Sequence, residues 1–258
     1  MSSYRTATFC QLPPKKIKKQ KFSTKNLETQ LTQTRKEYEK LLAASFCQNF
    51  FTQFRITIFG SSRIENPQSE YYQFVLKLTQ ALGQALPVDI VTGGGGGLML
   101  AASLGLKTAQ TKKPNVGQNI GILADLPHEL HYNPVLDKQK NFAYFSTRLE
   151  EFIRISGGIY LAPGGIGTLL EAFMFLQLKQ KKMLENSFPV FAHPFWKPVF
   201  HTAMQTMFQS QIKMGRTALI SLADQEFIKF TKNIPKIVQE FKKTYHNWLK
   251  LKKTCGYT

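Results

Sequence analysis

The stretch Leu161-Ala-Pro-Gly-Gly-Ile-Gly-Thr-Leu-Leu-Glu171 constrains the fold more than any other part of this chain. It follows Gly158-Ile-Tyr160, an apolar run that reads as the end of a buried strand, and leads into Ala172-Phe-Met-Phe-Leu-Gln-Leu178, which reads as a helix. A strand, a glycine turn and a helix in that order leave unpaired N–H groups at a helix N-terminus. With the positive end of the helix dipole, they form a ready seat for an anion such as phosphate. Gly164, Gly165 and Gly167 let a ligand approach the backbone closely, and Thr168 adds a hydroxyl in the first helical turn. Glu171 is the odd member. A carboxylate beside a phosphate seat repels the ligand unless it has a chemical task.

The same strand–glycine–helix order recurs upstream. Arg55-Ile-Thr-Ile-Phe59 is a strand candidate ending in Gly60-Ser61-Ser62-Arg63, and a helix follows over Glu70–Leu86. Val88-Asp-Ile-Val-Thr92 is the next strand, running into five glycines, Gly93 to Gly97, and then a helix over Leu98–Leu104. Asn119–Ala124 is a third strand, followed by an irregular stretch from Asp125 to Lys140 and a helix over Phe145–Ile155. Beyond Glu171, Pro189–Ala192 and Ala218–Leu222 read as strands, and helices are expected over Trp196–Ser210 and from Asp224 onward. Strands alternating with helices predict an α/β fold: a Rossmann-like, doubly wound parallel sheet with helices on both faces. Ligands of such sheets bind beyond the carboxyl ends of the strands, where all three glycine turns fall.

A tight turn needs one or two glycines. Five in succession discard side chains at an entropic cost, which favours a second ligand cradle at Gly93, Gly94, Gly95, Gly97 and the following Met99. Gly60 and Ser61 are a weaker signal, because such serines also cap helices. The first strand lacks Gly-x-Gly-x-x-Gly, and no acidic residue closes the second strand to hold a ribose, so a mononucleotide fits better than a dinucleotide. A Walker-type Gly-Lys-Ser/Thr is missing as well.

Residues 1–26 are basic and polar, with Pro13-Pro14, and are expected to be a disordered tail. Leu27, Leu31, Tyr38, Leu41 and Leu42 recur at helical spacing, which predicts an N-terminal helical extension over residues 27–50, packed on the main domain or on a partner subunit. The main domain is expected over 51–245, with a basic C-terminal tail over 246–258. The net charge of +18 favours anionic partners, whether nucleotide, nucleic acid or acidic membrane, without choosing among them. The lysines gathered at both ends read as solvated tails rather than one organised nucleic-acid face. No apolar run is long enough to cross a bilayer. Three cysteines without metal-ligand spacing, and no apolar signal core at the N-terminus, suit a cytoplasmic protein. His128, His131, His193 and His201 show no metal-site spacing either.

The Thr92–Met99 run, Arg148 and Pro163-Gly-Gly-Ile-Gly-Thr-Leu-Leu-Glu171 together resemble the "lonely guy" (LOG) family, whose pattern Pro-Gly-Gly-x-Gly-Thr-x-x-Glu is matched here at every fixed position. The resemblance covers roughly residues 56–241. It implies a nucleotide phosphoribohydrolase that splits AMP or N6-modified (cytokinin) AMP into free base and ribose 5-phosphate, without metal or organic cofactor, as a homodimer with sites near the subunit interface. It further implies catalytic roles for Arg148 and Glu171 and nucleoside contacts from Glu129 and Asn133. The chemistry agrees: cleaving an N-glycosidic bond builds positive charge on the ribose, which an adjacent carboxylate stabilises. The chain departs from the family at Leu100, Leu149, Leu170 and Met174, where relatives carry charged residues. That thinning leaves a second reading, a nucleotide-binding or sensing protein with little turnover. The family's older label, lysine decarboxylase, would need a Schiff-base lysine, and the central motifs contain none.

Overall fold

Seven parallel strands lie side by side in the order β4-β3-β2-β1-β5-β6-β7 in the computed structural model, which describes residues 27–37, 41, 52–113, 116–124, 133–185 and 187–254. The strands are β1 (Arg55–Phe59), β2 (Asp89–Thr92), β3 (Asn119–Ala124), β4 (Lys138–Phe142), β5 (Gly158–Leu161), β6 (Val190–Ala192) and β7 (Lys229–Phe230). The principal helices are α1 (Glu70–Ala85), α2 (Leu98–Lys112), α3 (Phe145–Ile155), α4 (Ile166–Gln180), α5 (Lys197–Gln205) and α6 (Ile234–Thr254). Chain contacts separate residues 1–45 from residues 46–258. The first part contributes a helix over 27–37. The second holds the sheet.

Successive strand side chains point to opposite faces, and the sequence supplies apolar residues for both. Ile56 and Ile58 of β1, Ile90 of β2, Tyr160 of β5 and Phe191 of β6 build one core with α1, α2 and α6. Phe59, Val91, Ile159, Leu161 and Val190 build the other with α3, α4 and α5. Both faces are therefore covered, as a parallel sheet requires.

The central strand β1 pairs with β2 on one side and β5 on the other. The chain order runs outward in both directions from there, so the gap between the loops after β1, β2 and β5 is the topological switch point. The opposite, amino-terminal end is closed by charge: Arg55 meets Asp89 at 3.3 Å, and the same carboxylate accepts from the Gln118 N–H at 2.8 Å.

Several expected boundaries move. The stretch read as irregular to Lys140 contains β4, an edge strand whose Lys-Gln-Lys-Asn run is exposed. Such polar composition hides an edge strand from a hydrophobic pattern while protecting the edge from unwanted pairing. Ala218–Leu222 is not a strand; the seventh strand is the two-residue β7, after a 3-10 turn at Ala223–Glu226. The last helix begins at Ile234, not Asp224, and runs to Thr254, so residues 246–254 of the expected tail are helical. The helix expected over Trp196–Ser210 is a 3-10 turn (Pro194–Trp196), then α5, then a π-helical turn at Thr206–Ser210. The N-terminal tail, residues 38–40 and residues 42–50 lie outside the described residues.

Candidate functional site

A cavity of about 480 Å³ opens at the switch point, lined by the turns after β1, β2 and β5 and by one side of α3 and α4. Main-chain bonds hold the three turns together. The Ser61 N–H donates to the Pro163 carbonyl at 3.1 Å, and the Ser61 carbonyl accepts from the Leu98 N–H at 2.9 Å. The Ser61 hydroxyl accepts from the Arg63 N–H at 3.1 Å, tightening the first turn. Trp196 Nε1 reaches back from beyond β6 to the Ala162 carbonyl at 2.9 Å. The frame is set before any side chain of the site is placed.

Glu171 sits one helical turn into α4 and is 8% exposed; Thr168, three residues earlier on the same side, is 5% exposed. Residues three apart share a helix face, so both border the cavity, while Leu170 turns away to solvent and the exposed Ile166 stands at the cavity mouth. The cap of α4 at Gly165 carries no side-chain hydrogen bond. Its first-turn N–H groups are left for a ligand or solvent.

Arg148 is buried at 6% exposure within α3. Its Nε donates to the Ile122 carbonyl at 2.8 Å and its Nη2 to the Gly93 carbonyl at 3.4 Å. Its guanidinium packs on the rings of Phe145 and Phe152, at 5.6 Å and 5.4 Å from the centroids. Burial of an arginine on aromatic faces is stabilised by the attraction between cation and ring. One residue thus ties α3, the end of β3 and the second glycine turn together at the cavity wall.

The expected site residues divide. Gly60, Ser61, Gly93, Met99, Gly165, Gly167 and Thr168 line the cavity beside Arg148 and Glu171. Gly94, Gly95, Gly97 and Gly164 do not; they shape the turns behind it. Gly94 and Gly97 have φ of +77° and +58°, a region closed to most side-chain-bearing residues. At Gly164 an added Cβ would strike the Thr168 hydroxyl. Glu129 lies outside the described residues, as do His128 and His131. Asn133 is 4% exposed and occupied: its Nδ2 donates to Ser103 Oγ at 2.8 Å and its Oδ1 accepts from the Val135 N–H at 3.0 Å. Its own N–H donates to the Gly94 carbonyl at 3.1 Å. Asn133 therefore pins the second glycine turn, and it is not among the residues that line the cavity.

Phe59, Ser62, Arg63, Phe145 and Ile166 also line the cavity and were not expected there. The one signal that could have found Phe145 is its place one helical turn before Arg148. Among the described residues, no group of His, Cys, Asp or Glu is arranged to hold a metal ion.

Residues 99–241 match the family described as "Possible lysine decarboxylase", the LOG-family domain, over more than half of the chain. The chain belongs to this family. The matched region begins at Met99 and takes in both Arg148 and Glu171. Among solved structures, the LOG-family chain resembles TM1055 with a TM-score of 0.52 and 19% identity, covering 74% of this chain and 99% of that one. It also resembles the molybdenum cofactor carrier protein MCP from Chlamydomonas reinhardtii, with a TM-score of 0.52 and 15% identity, covering 75% and 99%. At these identities the likeness concerns the fold. No curated protein matched. No described helix is long and apolar enough to cross a membrane.

Proposed function

We propose that this LOG-family chain hydrolyses the N-glycosidic bond of a nucleoside 5′-monophosphate, AMP or an N6-modified AMP, releasing free base and ribose 5-phosphate. The observation that carries the proposal is the meeting of a buried carboxylate, Glu171, and a buried guanidinium, Arg148, on one cavity beside an uncapped helix N-terminus. The phosphate takes the N–H groups of Gly165, Gly167 and Thr168, which directs the ribose toward Glu171 one turn deeper. As the bond from C1′ to the base nitrogen breaks, its electron pair leaves with the base, and Glu171 stabilises the positive charge left on the sugar. Water then adds to C1′, its hydroxyl completing ribose 5-phosphate and its proton passing by way of the Glu171 carboxylate to the departing base, which leaves neutral and restores the carboxylate. Arg148 holds the Gly93 carbonyl in place and supports the wall against which the ribose rests.

The decarboxylase label finds no support in the cavity, whose described lining contains no lysine to form a Schiff base. A homodimer forms part of the proposal. Ile166, Leu170 and Phe173 make an apolar stripe on the outer side of α4, 82%, 46% and 38% exposed, and it borders the cavity mouth at Ile166.

Incubating the purified chain with a panel of nucleoside monophosphates and separating products by chromatography tests the reading. Free base is expected from at least one, and Glu171→Gln is expected to lower its release about 100-fold or more while nucleotide binding persists. No base from any of them, with the protein folded, overturns it. A second reading, ligand binding without turnover, is favoured by the use of Arg148 as a main-chain clamp; the similarly folded MCP is a carrier. Calorimetric binding of AMP with no base released would select that reading.

A further inference from the structure

Helix α6 carries six lysines and one glutamate over Ile234–Thr254. Their placement is one-sided. Ile237, Phe241 and Trp248 fill the core, and Phe54 packs on Trp248 and Tyr245 with ring centroids 5.7 Å and 5.6 Å apart. Lys236, Lys242, Lys243, His246, Lys250 and Lys253 all lie exposed. Steps of seven residues put Lys236, Lys243 and Lys250 in one row, and Lys242, His246 and Lys253 fall in a second row beside it. At 1.5 Å per residue the ridge is about 25 Å long. Its one acid, Glu240, is already engaged, by Lys243 at 2.7 Å and Lys229 at 3.2 Å.

Lysines that serve solubility are interspersed with acids over a surface. Here one sign fills one face of a helix anchored by three buried residues. We infer that the exposed face of α6 is a docking surface for the phosphodiester backbone of nucleic acid, separate from the nucleotide cavity. Charge complementarity selects this partner. The rows present cations along a line, as a polyanion needs, and cations outnumber the exposed amides Gln239 and Asn247 among them, so contact is chiefly with phosphates and sequence-independent. A lipid surface fits poorly, because the apolar side of the helix that would enter a membrane is spent on the protein core. The C-terminal lysines, read from sequence as a solvated tail, are thus an organised face through Lys253.

Fluorescence anisotropy of the full chain with a labelled 20-base-pair DNA duplex, over 50–300 mM salt, tests the inference. The triple substitution K236E/K243E/K250E is expected to weaken binding about tenfold or more and to flatten the slope of log affinity against log salt by about 3. K236Q/K243Q/K250Q, milder for folding, should flatten the slope by a similar amount. Melting temperature and any base release should match wild type, since none of these residues touches the cavity. A parallel full-length variant with Lys15, Lys16, Lys18, Lys19 and Lys21 changed to Gln separates the N-terminal basic cluster. If it loses binding while the α6 variants keep it, the inference fails. It also fails if wild type does not bind at 50 mM salt, or if binding is seen only to vesicles containing phosphatidylserine.

Discussion

The two glycine turns that border the cavity look alike in sequence and differ in what surrounds them. Around Gly93–Gly97 the protein itself demands glycine at every position but Gly96, where an added Cβ would meet no heavy atom within 4 Å. A Cβ at Gly93 would meet the Arg148 guanidinium; at Gly94 it would lie 2.7 Å from Leu123; at Gly97 it would strike the Ser61 and Ser62 carbonyls. In the turn after β5, Gly165 and Gly167 have no heavy atom within 4 Å of an added Cβ, yet both border the cavity. The first turn is packed against its own chain. The second is left bare toward the space where a ligand would sit. Glycine there makes no packing contact and costs helix stability at Gly167, which lies inside α4. A residue kept at a cost to stability points to function.

The sharpest way to break this contrast is Gly97→Ala. With φ at +58° and carbonyl oxygens in the way, the substitution is expected to cost about 2–4 kcal/mol, read from urea denaturation. A change below 0.5 kcal/mol would show that the turn yields and is not packed. Gly93→Ala tests the same turn more gently, because the obstacle is the far end of a flexible side chain. The fold should hold while Arg148 is displaced from the Ile122 and Gly93 carbonyls, and base release should fall about tenfold to a hundredfold. Unchanged turnover would remove Arg148's position from the mechanism.

Gly167→Ala should act in the opposite sense on stability. Alanine in the first turn of α4 is expected to raise it by about 0.5–1 kcal/mol, while AMP affinity measured by calorimetry falls about tenfold. A stabilised protein that binds AMP normally would mean that the bare turn is not the seat of the phosphate.

The turn after β6 offers a third and smaller case, built without glycine. His193 Nδ1 accepts from the Phe195 N–H at 3.1 Å, while its Nε2 is buried without a partner among the described residues, beside the rings of Tyr71 and Phe74. Burial, with Lys232 nearby, lowers its pKa below the ordinary 6.5. The unfolded chain therefore takes up the proton first as pH falls. The stability this neutral ring contributes is present above pH 6.5 and is lost between there and the lower folded value. His193→Asn keeps an acceptor for Phe195 and should lessen the slope of melting temperature against pH below 6.5. Identical slopes would assign the acid sensitivity elsewhere.

Much of the fold was legible because its signals are local. Ile56–Phe59, Ile90–Thr92 and Ile159–Leu161 are short apolar runs closed by glycine, and each became a strand ending at the cavity. Where the local signal was weak, the expectation missed. The strand β4 is Lys-Gln-Lys-Asn-Phe, with only Phe142 partly buried; it pairs through its backbone with β3 and carries no apolar alternation to announce itself. The apolar Ala218–Leu222 announced a strand and is instead part of an exposed connection, with Leu219 and Leu222 65% and 67% exposed. The candidate site was legible in its motif residues, but not in Phe59, Arg63 or Phe145, which reach the cavity through the placement of their elements.

The sequence by itself determined where glycine interrupts strand and helix, and that a threonine and a glutamate share the inner side of the helix after the last glycine turn. Backbone conformation and helical periodicity are properties of a few neighbouring residues, so those features needed no fold. The tertiary structure decided which glycines are required by packing and which stand open. That depends on atoms far away in the chain: the obstacle at Gly93 is Arg148, 55 residues distant, and Gly165 and Gly167 border the open cavity between the loops after β1, β2 and β5. The two turns share their composition, and only their surroundings assign them different work.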